Sequence, residues 1–326
     1  MKKIILILFS CLLFVGCGNK SNDVLKSLEK KINKTKSYHL TGVLKINRGE
    51  NEYVYNVSTS YQNNDYYRVS LTNTINNHEQ IILRNDDGVF VLTPSLNKSF
   101  KFQSDWPYNN SQIYLLQIIL SDIKNDDSRE LIKDKDGYIF KTKVNYTSNS
   151  DLKYQKVYID DDYNIKCVEV YDASDNLEMS MTFSNIDYKT SYDNEYFALE
   201  NNTDIEKLEN TSKEINNVVY PMCVPVNTYL TNQETIETVN GERVILTFEG
   251  ESTFMLVEET INVSDNLETY MVNGEPDIIL DTIGSVTDYS VSWISNGVEY
   301  YLVSNDMEQE EMINVASSIS SMPVGK

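Results

Sequence analysis

The feature that most constrains the fold is a strict alternation of apolar and polar residues that begins near residue 38. A period of two places the apolar side chains on one face of a strand, which is typical of antiparallel sheets with a single buried face. The pattern recurs past residue 170 and predicts one long antiparallel sheet of about eight to eleven strands. The apolar members of its first three segments are Tyr38, Leu40, Leu44 and Ile46, then Tyr53, Tyr55, Val57 and Tyr61, then Tyr67, Val69 and Leu71.

Tight-turn residues separate the predicted strands. Asp86-Asp87-Gly88 stands between two apolar runs, Asp136-Gly137 precedes another, and Asp160-Asp161-Asp162 divides two more. Asp hydrogen-bonds nearby backbone groups in turns and Gly accepts positive φ, so these positions favour hairpins. Calcium binding by the same carboxylates is the alternative interpretation, although the segment from Asp134 lacks the later ligands of a calcium loop.

Two helices are predicted to accompany this sheet. Asp23 to Lys34 is apolar along one face, and Ser111 to Ile123, with Ser111 as its N-cap, is apolar on most sides. A helix of the second kind must be buried, so we expect it against the concave face of the sheet. Its residues and the preceding Trp106-Pro107 are predicted to form the lid of a cavity, with ordinary core packing as the alternative. The predicted lid residues are Trp106, Pro107, Ile113, Leu116, Ile119 and Leu120.

A second unit is predicted after a polar stretch. Residues 201–217 are rich in Asn, Glu and Lys, as in a linker or a surface helix. Asn296-Gly297 then lies between two apolar runs and is a strong two-residue hairpin signal. The chain closes with a predicted helix from Met307 to Ser320, with Asp306 as N-cap and Gln309 as its capping-box partner. The predicted fold class is therefore mainly β (α+β), with a sheet domain in residues 23–200 and a smaller α+β domain in residues 218–326.

The N-terminus has the pattern of an export signal. Lys2 and Lys3 precede an apolar run from Ile4 to Val15 that only Ser10 interrupts. The run is about a dozen residues long, whereas a membrane-spanning helix needs roughly 20. It is therefore typical of a cleaved signal peptide.

The segment Leu13-Phe14-Val15-Gly16-Cys17 resembles the bacterial lipobox. The resemblance implies that Cys17 receives a diacylglyceryl thioether and becomes the mature N-terminus, and two acyl chains anchor a protein stably. Residues 1–17 are thus predicted as signal peptide and lipobox, residues 18–22 as a tether, and the location as the extracytoplasmic face of the cell membrane. A plain secretory signal with an accidental cysteine is the alternative.

Charge and cysteine content limit the partners. The formal net charge of -21 repels phosphate backbones, so nucleic acid is excluded as a partner class and a basic partner is favoured. Cys11 leaves with the signal, and Cys167 and Cys223 remain. They could pair in an oxidising compartment, but we favour two separate buried residues.

Sequence signals of catalysis are missing. The two histidines, His39 and His78, lie in no metal-binding spacing. The chain has no GxSxG motif, P-loop or GxGxxG motif, and no histidine stands near Cys167 or Cys223 to activate a thiol. We therefore predict no enzyme activity, no cofactor and no metal. Carboxylates paired by the fold are the alternative.

Two stretches resemble known families. Asp87 to Phe100 continues through Asp105-Trp106-Pro107 to Tyr114-Leu115-Leu116, and Lys156 to Asp160 and Cys167 to Asp172 form a strand pair. With these motifs, residues 23–200 resemble the LolA-like lipoprotein-sorting superfamily, and within it the Gram-positive sporulation and germination branch of YdcC-type lipoproteins and GerS.

The second resemblance covers residues 218–326. Gly250 to Val257, Val291 to Trp293, Gly297 to Leu302 and the closing helix are similar to the DUF4367 module, which YdcC-type proteins carry behind their LolA-like domain. Together the two resemblances cover nearly the whole chain.

The resemblance implies a half-barrel: a curved antiparallel sheet closed by helices around an apolar concavity. Related proteins carry acyl chains there, whereas GerS relatives bind a cortex-modifying N-acetylmuramoyl-L-alanine amidase. The first hypothesis is accordingly a membrane-anchored, non-enzymatic lipoprotein of the spore envelope that binds a protein partner, with this amidase suspected. The alternatives are a carrier or sensor of acyl chains and an envelope-stress regulator.

Overall fold

A computed structural model describes residues 16–48, 51–63, 65–203, 214–215, 217–239, 241–261 and 266–321. Most of the predicted signal in residues 1–17 and most of the predicted linker in residues 201–217 lie outside the described residues. Within these ranges, the predicted curved antiparallel sheet closed by helices is confirmed.

The first unit is built on a twelve-stranded open sheet, to which residues 37–187 contribute eleven antiparallel strands. The chain runs outward from β1 to β6 on one side, and β7 to β11 return to pair with β1 on the other. Gly42 sits at this β1–β11 junction, where a Cβ atom would lie 2.3 Å from the carbonyl oxygen of Thr182. The strands are β1 (Ser37–Arg48), β2 (Asn51–Gln62), β3 (Tyr66–Asn73), β4 (Glu79–Asn85), β5 (Gly88–Thr93), β6 (Lys98–Phe102), β7 (Glu130–Asp134), β8 (Gly137–Lys143), β9 (Leu152–Asp160), β10 (Ile165–Asp172) and β11 (Leu177–Asp187).

Helix α1 (Gly16–Asn33) covers part of this sheet and begins earlier than predicted. The stripe of Val24, Leu28 and Ile32 is buried as the sequence predicts. Residues 18–22, predicted as a tether, are instead the first turns of the helix. Arg129 donates a hydrogen bond of 2.9 Å to the side-chain oxygen of Asn22, which holds this end of α1 to the folded body.

Helix α2 (Leu116–Asn125) is buried against the sheet, but it begins five residues later than predicted, so the prediction of Ser111 as N-cap is wrong. Ser111 exchanges two hydrogen bonds with Asn145: its amide donates to the Asn145 carbonyl at 2.7 Å, and its Oγ accepts from the Asn145 amide at 2.9 Å. The side chain is therefore engaged in a strand-like contact and cannot cap a helix. The Leu116 amide at the true start donates to the hydroxyl of Tyr38.

The second unit contains a seven-stranded antiparallel sheet in the order β13-β14-β15-β20-β19-β18-β17. The hairpin predicted at Asn296-Gly297 is confirmed, with both residues at positive φ. Strands β12 and β21 pair with each other, and β16 lies outside both of these sheets. The strands after residue 217 are β12 (Val219–Pro221), β13 (Thr228–Thr238), β14 (Gly241–Gly250), β15 (Phe254–Thr260), β16 (Glu268–Val272), β17 (Glu275–Ile279), β18 (Thr282–Val286), β19 (Ser290–Ser295), β20 (Val298–Ser304) and β21 (Ile319–Ser321).

Strand β16 belongs to the first sheet, although its residues lie in the range predicted as a separate domain. It pairs in parallel with β6 and forms the twelfth strand, with Glu268 opposite Lys98 and Val272 opposite Phe102. Tyr270 stacks on Phe100 with ring centroids 5.8 Å apart. The two units are therefore interwoven, which hydrophobic periodicity does not reveal.

The closing helix α3 (Gln309–Ser317) is shorter than the predicted span from Met307 to Ser320, and its predicted N-cap is wrong. Asp306 accepts a hydrogen bond from the amide of Thr253 at 3.0 Å, so its carboxylate is used between strands and not at the helix end. Ser304 receives the amides of Asp306 and Met307 instead.

The two remaining cysteines are free thiols in the structure. Cys167 is half-buried in β10, and Cys223 is exposed between β12 and β13. The prediction that both are buried is wrong, since Cys167 is partly exposed on a strand and Cys223 is exposed in a loop.

Candidate functional site

The concave face of the first sheet is occupied by the chain itself. Its apolar side chains pack on α1 and α2 in one continuous core. The same core includes Ile283 of β18, with Ile278 of β17 packed against it. A hairpin of the second unit therefore fills the part of the concavity that the two helices leave open.

Gln80 joins this hairpin to the first sheet. Its side chain is 4% exposed in β4 and meets the backbone of β18. The amide nitrogen donates to the Ile283 carbonyl at 3.3 Å, and the amide oxygen accepts from Thr282 Oγ1 at 2.8 Å and from the Ile283 amide. Because an unpaired buried amide would be costly, Gln80 fixes the register of the hairpin on the sheet.

Further hydrogen bonds hold the turn between β17 and β18. The Tyr55 hydroxyl donates to the Leu280 carbonyl at 3.0 Å, and Asn76 donates to the carboxylate of Asp281 at 2.9 Å. Elsewhere between the units, Ser150 donates to Glu310 of α3 at 2.7 Å. The contact between the units is thus both apolar and polar.

A cleft of about 240 Å³ remains between the units. Small-molecule pockets usually measure roughly 300–1,000 Å³ and are mostly apolar, so this cleft is small. Its floor is apolar and its rim is charged. The apolar lining includes Leu44, Ile46, Ile82, Ile113, Leu152, Met179, Ile278 and Ile283, and the charged lining is Arg48, Asp151, Asp172, Glu178 and Asp277.

Two of the charged groups that line the cleft, Arg48 and Asp277, are hydrogen-bonded. Arg48 donates to the Ile278 carbonyl at 3.4 Å, and Ser148 donates to the carboxylate of Asp277. Burial raises the pKa of Glu178, the negative charge of Asp172 adds to the increase, and Arg48 opposes it. Among the described residues, no three His, Cys, Asp or Glu side chains are grouped to hold a metal ion.

The six predicted lid residues are all buried. Of these, Ile113 alone lines the cleft. Trp106, 1% exposed, packs edge-on against Tyr67 with ring centroids 5.9 Å apart, and its amide donates to Ser104 Oγ at 2.9 Å. These contacts place Trp106 in the core, and the role of the six residues as a cavity lid stays a prediction.

Gln80, Ile278 and Ile283, which close the concavity, were not predicted from the sequence. Gln80 precedes the apolar run Ile81-Ile82-Leu83, and a polar residue beside such a run is a signal of a buried polar contact. Nothing in the sequence identifies its partner, because Ile283 follows about two hundred residues later. In the part of the chain that the structure covers, no helix has the length and apolarity that a membrane span requires.

Solved structures resemble the chain at low identity. A chain of the MucA/MucB complex from Pseudomonas aeruginosa is 13% identical, with a TM-score of 0.34 over 94% of this chain and 100% of that one. A LolA superfamily protein from Nitrosomonas europaea is 12% identical, with a TM-score of 0.33 over 56% and 98%. A chain of the complex between the CwlD amidase and the GerS lipoprotein of Clostridioides difficile is 14% identical, with a TM-score of 0.32 over 53% and 95%. These TM-scores are too low to carry an argument about function.

No family model matches the sequence, so the DUF4367-like assignment of residues 218–326 stays a prediction. The similarity to one relative extends over nearly the full length of both proteins. Sporulation protein YdcC of Bacillus subtilis (strain 168) is 35% identical over 318 residues, which are 96% of this chain and 94% of that protein. The similarity includes both units and the segments that join them. The chain therefore belongs to the family of sporulation protein YdcC.

Proposed function

We propose that this protein is a membrane-anchored lipoprotein of the spore envelope that binds a protein partner in sporulation or germination and catalyses no reaction. Membership of the YdcC family supports the process. The observation that carries the choice between a partner-binding protein and an acyl-chain carrier is the filled concave face of the first sheet.

A carrier needs a continuous apolar cavity for its ligand. Here Ile278 and Ile283 occupy the concavity, and Gln80 ties the hairpin in place. The remaining cleft of about 240 Å³ has four carboxylates and a guanidinium in its lining, and burying an acyl chain against such groups would desolvate them. Recognition by external surfaces is the function that this arrangement favours.

The membrane anchor is proposed on Cys17. Helix α1 begins at Gly16, and its first turns are tied to the body through Asn22 and Arg129. A lipid on Cys17 would therefore hold the folded body close to the membrane surface, without a long flexible connection. Such an attachment suits a protein that keeps a partner at the membrane.

The anchor is tested by detergent-phase partitioning of cells that express Cys17→Ala. We expect the variant to leave the detergent phase or to accumulate as uncleaved precursor, because the thioether cannot form. Cys11→Ala is the matched control and should partition like the parent. Mature Cys17→Ala protein that stays in the detergent phase would contradict the lipid anchor.

Partner binding is tested on protein that begins at residue 18. Native mass spectrometry should give a ligand-free mass, and a purified cortex-modifying N-acetylmuramoyl-L-alanine amidase is the first partner to titrate. Co-purified lipid together with no binding to the amidase or to other envelope proteins of sporulating cells would favour the carrier function instead.

A further inference from the structure

Among the described residues, the two large sheets have four edge strands, and one of these strands differs from the rest. The edges of the first sheet are β7 and β16, and those of the second are β13 and β17. Strands β7, β16 and β17 have five residues each, whereas β13 has eleven. A long free edge offers a row of unpaired backbone N–H and C=O groups to another chain.

Strand β13 lacks the short length, the lysine and the proline that protect the other edges of the described sheets. Proteins protect such edges with short strands, charged side chains (lysine above all), proline, β-bulges or a covering element. Strand β7 carries Lys133 and β17 carries Pro276, but β13 contains neither residue type. All nine residues from Tyr229 to Glu237 are exposed. A bulge at Thr231 interrupts the pairing with β14 once and leaves Asn232 to Thr238 in regular register.

An apolar patch lies beside β13 on the outer face of the same sheet. Two cross-strand rows form it: Ile245, Val257 and Tyr301 are direct neighbours, as are Thr247, Met255 and Val303. Met255 is 42% and Tyr301 is 43% exposed. Ile236 of β13 extends the patch to the edge. Contiguous exposed apolar surface of this kind marks interaction sites.

The charged residues around this surface are acidic, apart from one arginine. Residues 228–260 contain seven glutamates and one arginine, with no lysine or aspartate. The guanidinium of Arg243 is already paired with Glu259, at 2.6 Å between Nη2 and Oε2. Glu234 and Glu237 lie on β13 itself and are exposed.

We propose that β13 receives an extended, lysine- or arginine-bearing segment of the protein partner as an added strand, whose apolar side chains cover the patch. Backbone hydrogen bonds would supply affinity, and alternate side chains would supply specificity, as in other cases of strand addition. The proposal rests on the proposed partner-binding function and names the surface and the chemistry of the partner. A second copy of this chain is disfavoured, because it would set the Glu234 and Glu237 of two strands side by side.

The test uses the mature chain and two synthetic peptides as long as β13, one alternating valine with lysine and one alternating valine with glutamate. The lysine peptide should bind and slow hydrogen exchange of the amides from Tyr229 to Glu237, and the glutamate peptide should not. The double variant Glu234→Lys, Glu237→Lys should weaken binding of the lysine peptide at least about tenfold, because it reverses the charge on both faces of the β13 edge.

The matched control is Asp127→Lys with Glu130→Lys, two exposed acidic residues at the same spacing near the edge of the first sheet. This control should bind the lysine peptide like the parent. The unfolding curves of both double variants should coincide with that of the parent, which separates lost binding from lost folding. Peptide binding that leaves β13 exchange unchanged, equal loss in the control, or exchange protection caused by self-association would each overturn the proposal.

The same variants separate this proposal from the proposed function. A partner that binds the parent and the Glu234→Lys, Glu237→Lys variant equally would overturn strand addition at β13 and leave partner binding intact. A partner that binds the parent and the control but not this variant would support both. Absence of any envelope partner for the parent would contradict the proposed function itself.

Discussion

The two units protect their sheets in opposite ways. The first sheet has its concave face covered by α1, α2 and the β17–β18 hairpin, and β16 pairs with β6 as a short end strand. The second sheet packs α3 and the segment around β12 on one face, and its other face meets the first unit through Ile278, Ile283 and Ile294. Among the described residues, twelve of the sixteen exposed large apolar side chains lie after residue 217, and seven of these lie between 222 and 239. The concave face of the first sheet is therefore covered by other elements of the protein, whereas most of the exposed large apolar side chains belong to the second unit.

This difference gives the second unit a function that its position in the sequence does not suggest. Its β17–β18 hairpin completes the core of the first unit, while its opposite edge, β13, stays open. The second unit thus fills the concavity of the first sheet with one edge and has the proposed partner-binding strand, β13, at the other. The single tryptophan of each unit, Trp106 and Trp293, is buried and reports the unfolding of that unit by fluorescence.

The largest predicted effect compares Ile283→Asp with Ile236→Asp. Ile283 is buried in the core of the first unit, so a carboxylate there should lower the free energy of unfolding by about 3–5 kcal/mol. Ile236 is exposed on β13, and the same change there should stay within about 0.5 kcal/mol. Denaturant titration followed by tryptophan fluorescence measures both. Similar decreases in the free energy of unfolding for the two variants would contradict the difference in burial between the β17–β18 hairpin and β13.

The next effect concerns Glu258, a carboxyl with 0% exposure in the core of the second unit. It accepts the amide of Val219 at 3.0 Å, and burial raises its pKa from 4.5 to about 7. The folded state holds the proton more tightly, so this contribution is fully present below pH 4.5 and is lost as the pH rises to about 7. The total change is about 3 kcal/mol.

Glu258→Gln should remove this pH dependence, because the amide oxygen still accepts from Val219 and cannot ionise. The measurement is the free energy of unfolding between pH 4 and 8, roughly the window given by the shift, with the Trp293 signal as readout. Glu259→Gln is the neighbouring control and should keep the parental slope. A Glu258→Gln variant with an unchanged slope would mean that Glu258 ionises normally in the folded protein.

The smallest effect compares two glutamines. Gln80→Leu leaves the Ile283 amide and the Thr282 hydroxyl without their acceptor, and should cost about 1–3 kcal/mol. Gln233→Leu on β13 removes a hydrogen bond of 2.8 Å from the exposed Tyr220 hydroxyl and should change stability by less than about 0.5 kcal/mol. Thermal unfolding of both variants is the measurement. A larger loss for Gln233 would mean that β13 contributes to the core.

The sequence predicts those parts of the fold that depend on local periodicity. The alternation of Tyr38, Leu40, Leu44 and Ile46 and the Asn296-Gly297 turn are examples, because side-chain direction and φ are set by neighbouring residues. Strand β13 was not predicted. Its few apolar residues, Tyr229, Leu230 and Ile236, show no alternation with the polar ones, and its pairing with β14 is a contact that periodicity does not reveal.

The site was less predictable than the fold. Ser111 and Asp306 have the chemistry of N-caps, yet distant backbone amides of Asn145 and Thr253 take their side chains. The filling of the concavity by Ile278 and Ile283 depends on contacts between residues far apart in the chain. Those contacts leave no periodic signal, which is why an open apolar concavity was the expectation.

The parallel pairing of β16 with β6 has a consequence for the order of folding. The paired residues Ser99 and Thr269 are 170 positions apart, so the border of the first sheet is completed only after most of the chain is available. Pairings of such long range form slowly, since loop closure precedes the gain from contacts. During that interval β6 is an open edge, and its Lys98 and Lys101 are the residues that discourage premature pairing with other chains. In the finished protein Lys98 is buried over the ring of Tyr270, so a charge that protects the unfinished sheet becomes a contact of the completed one.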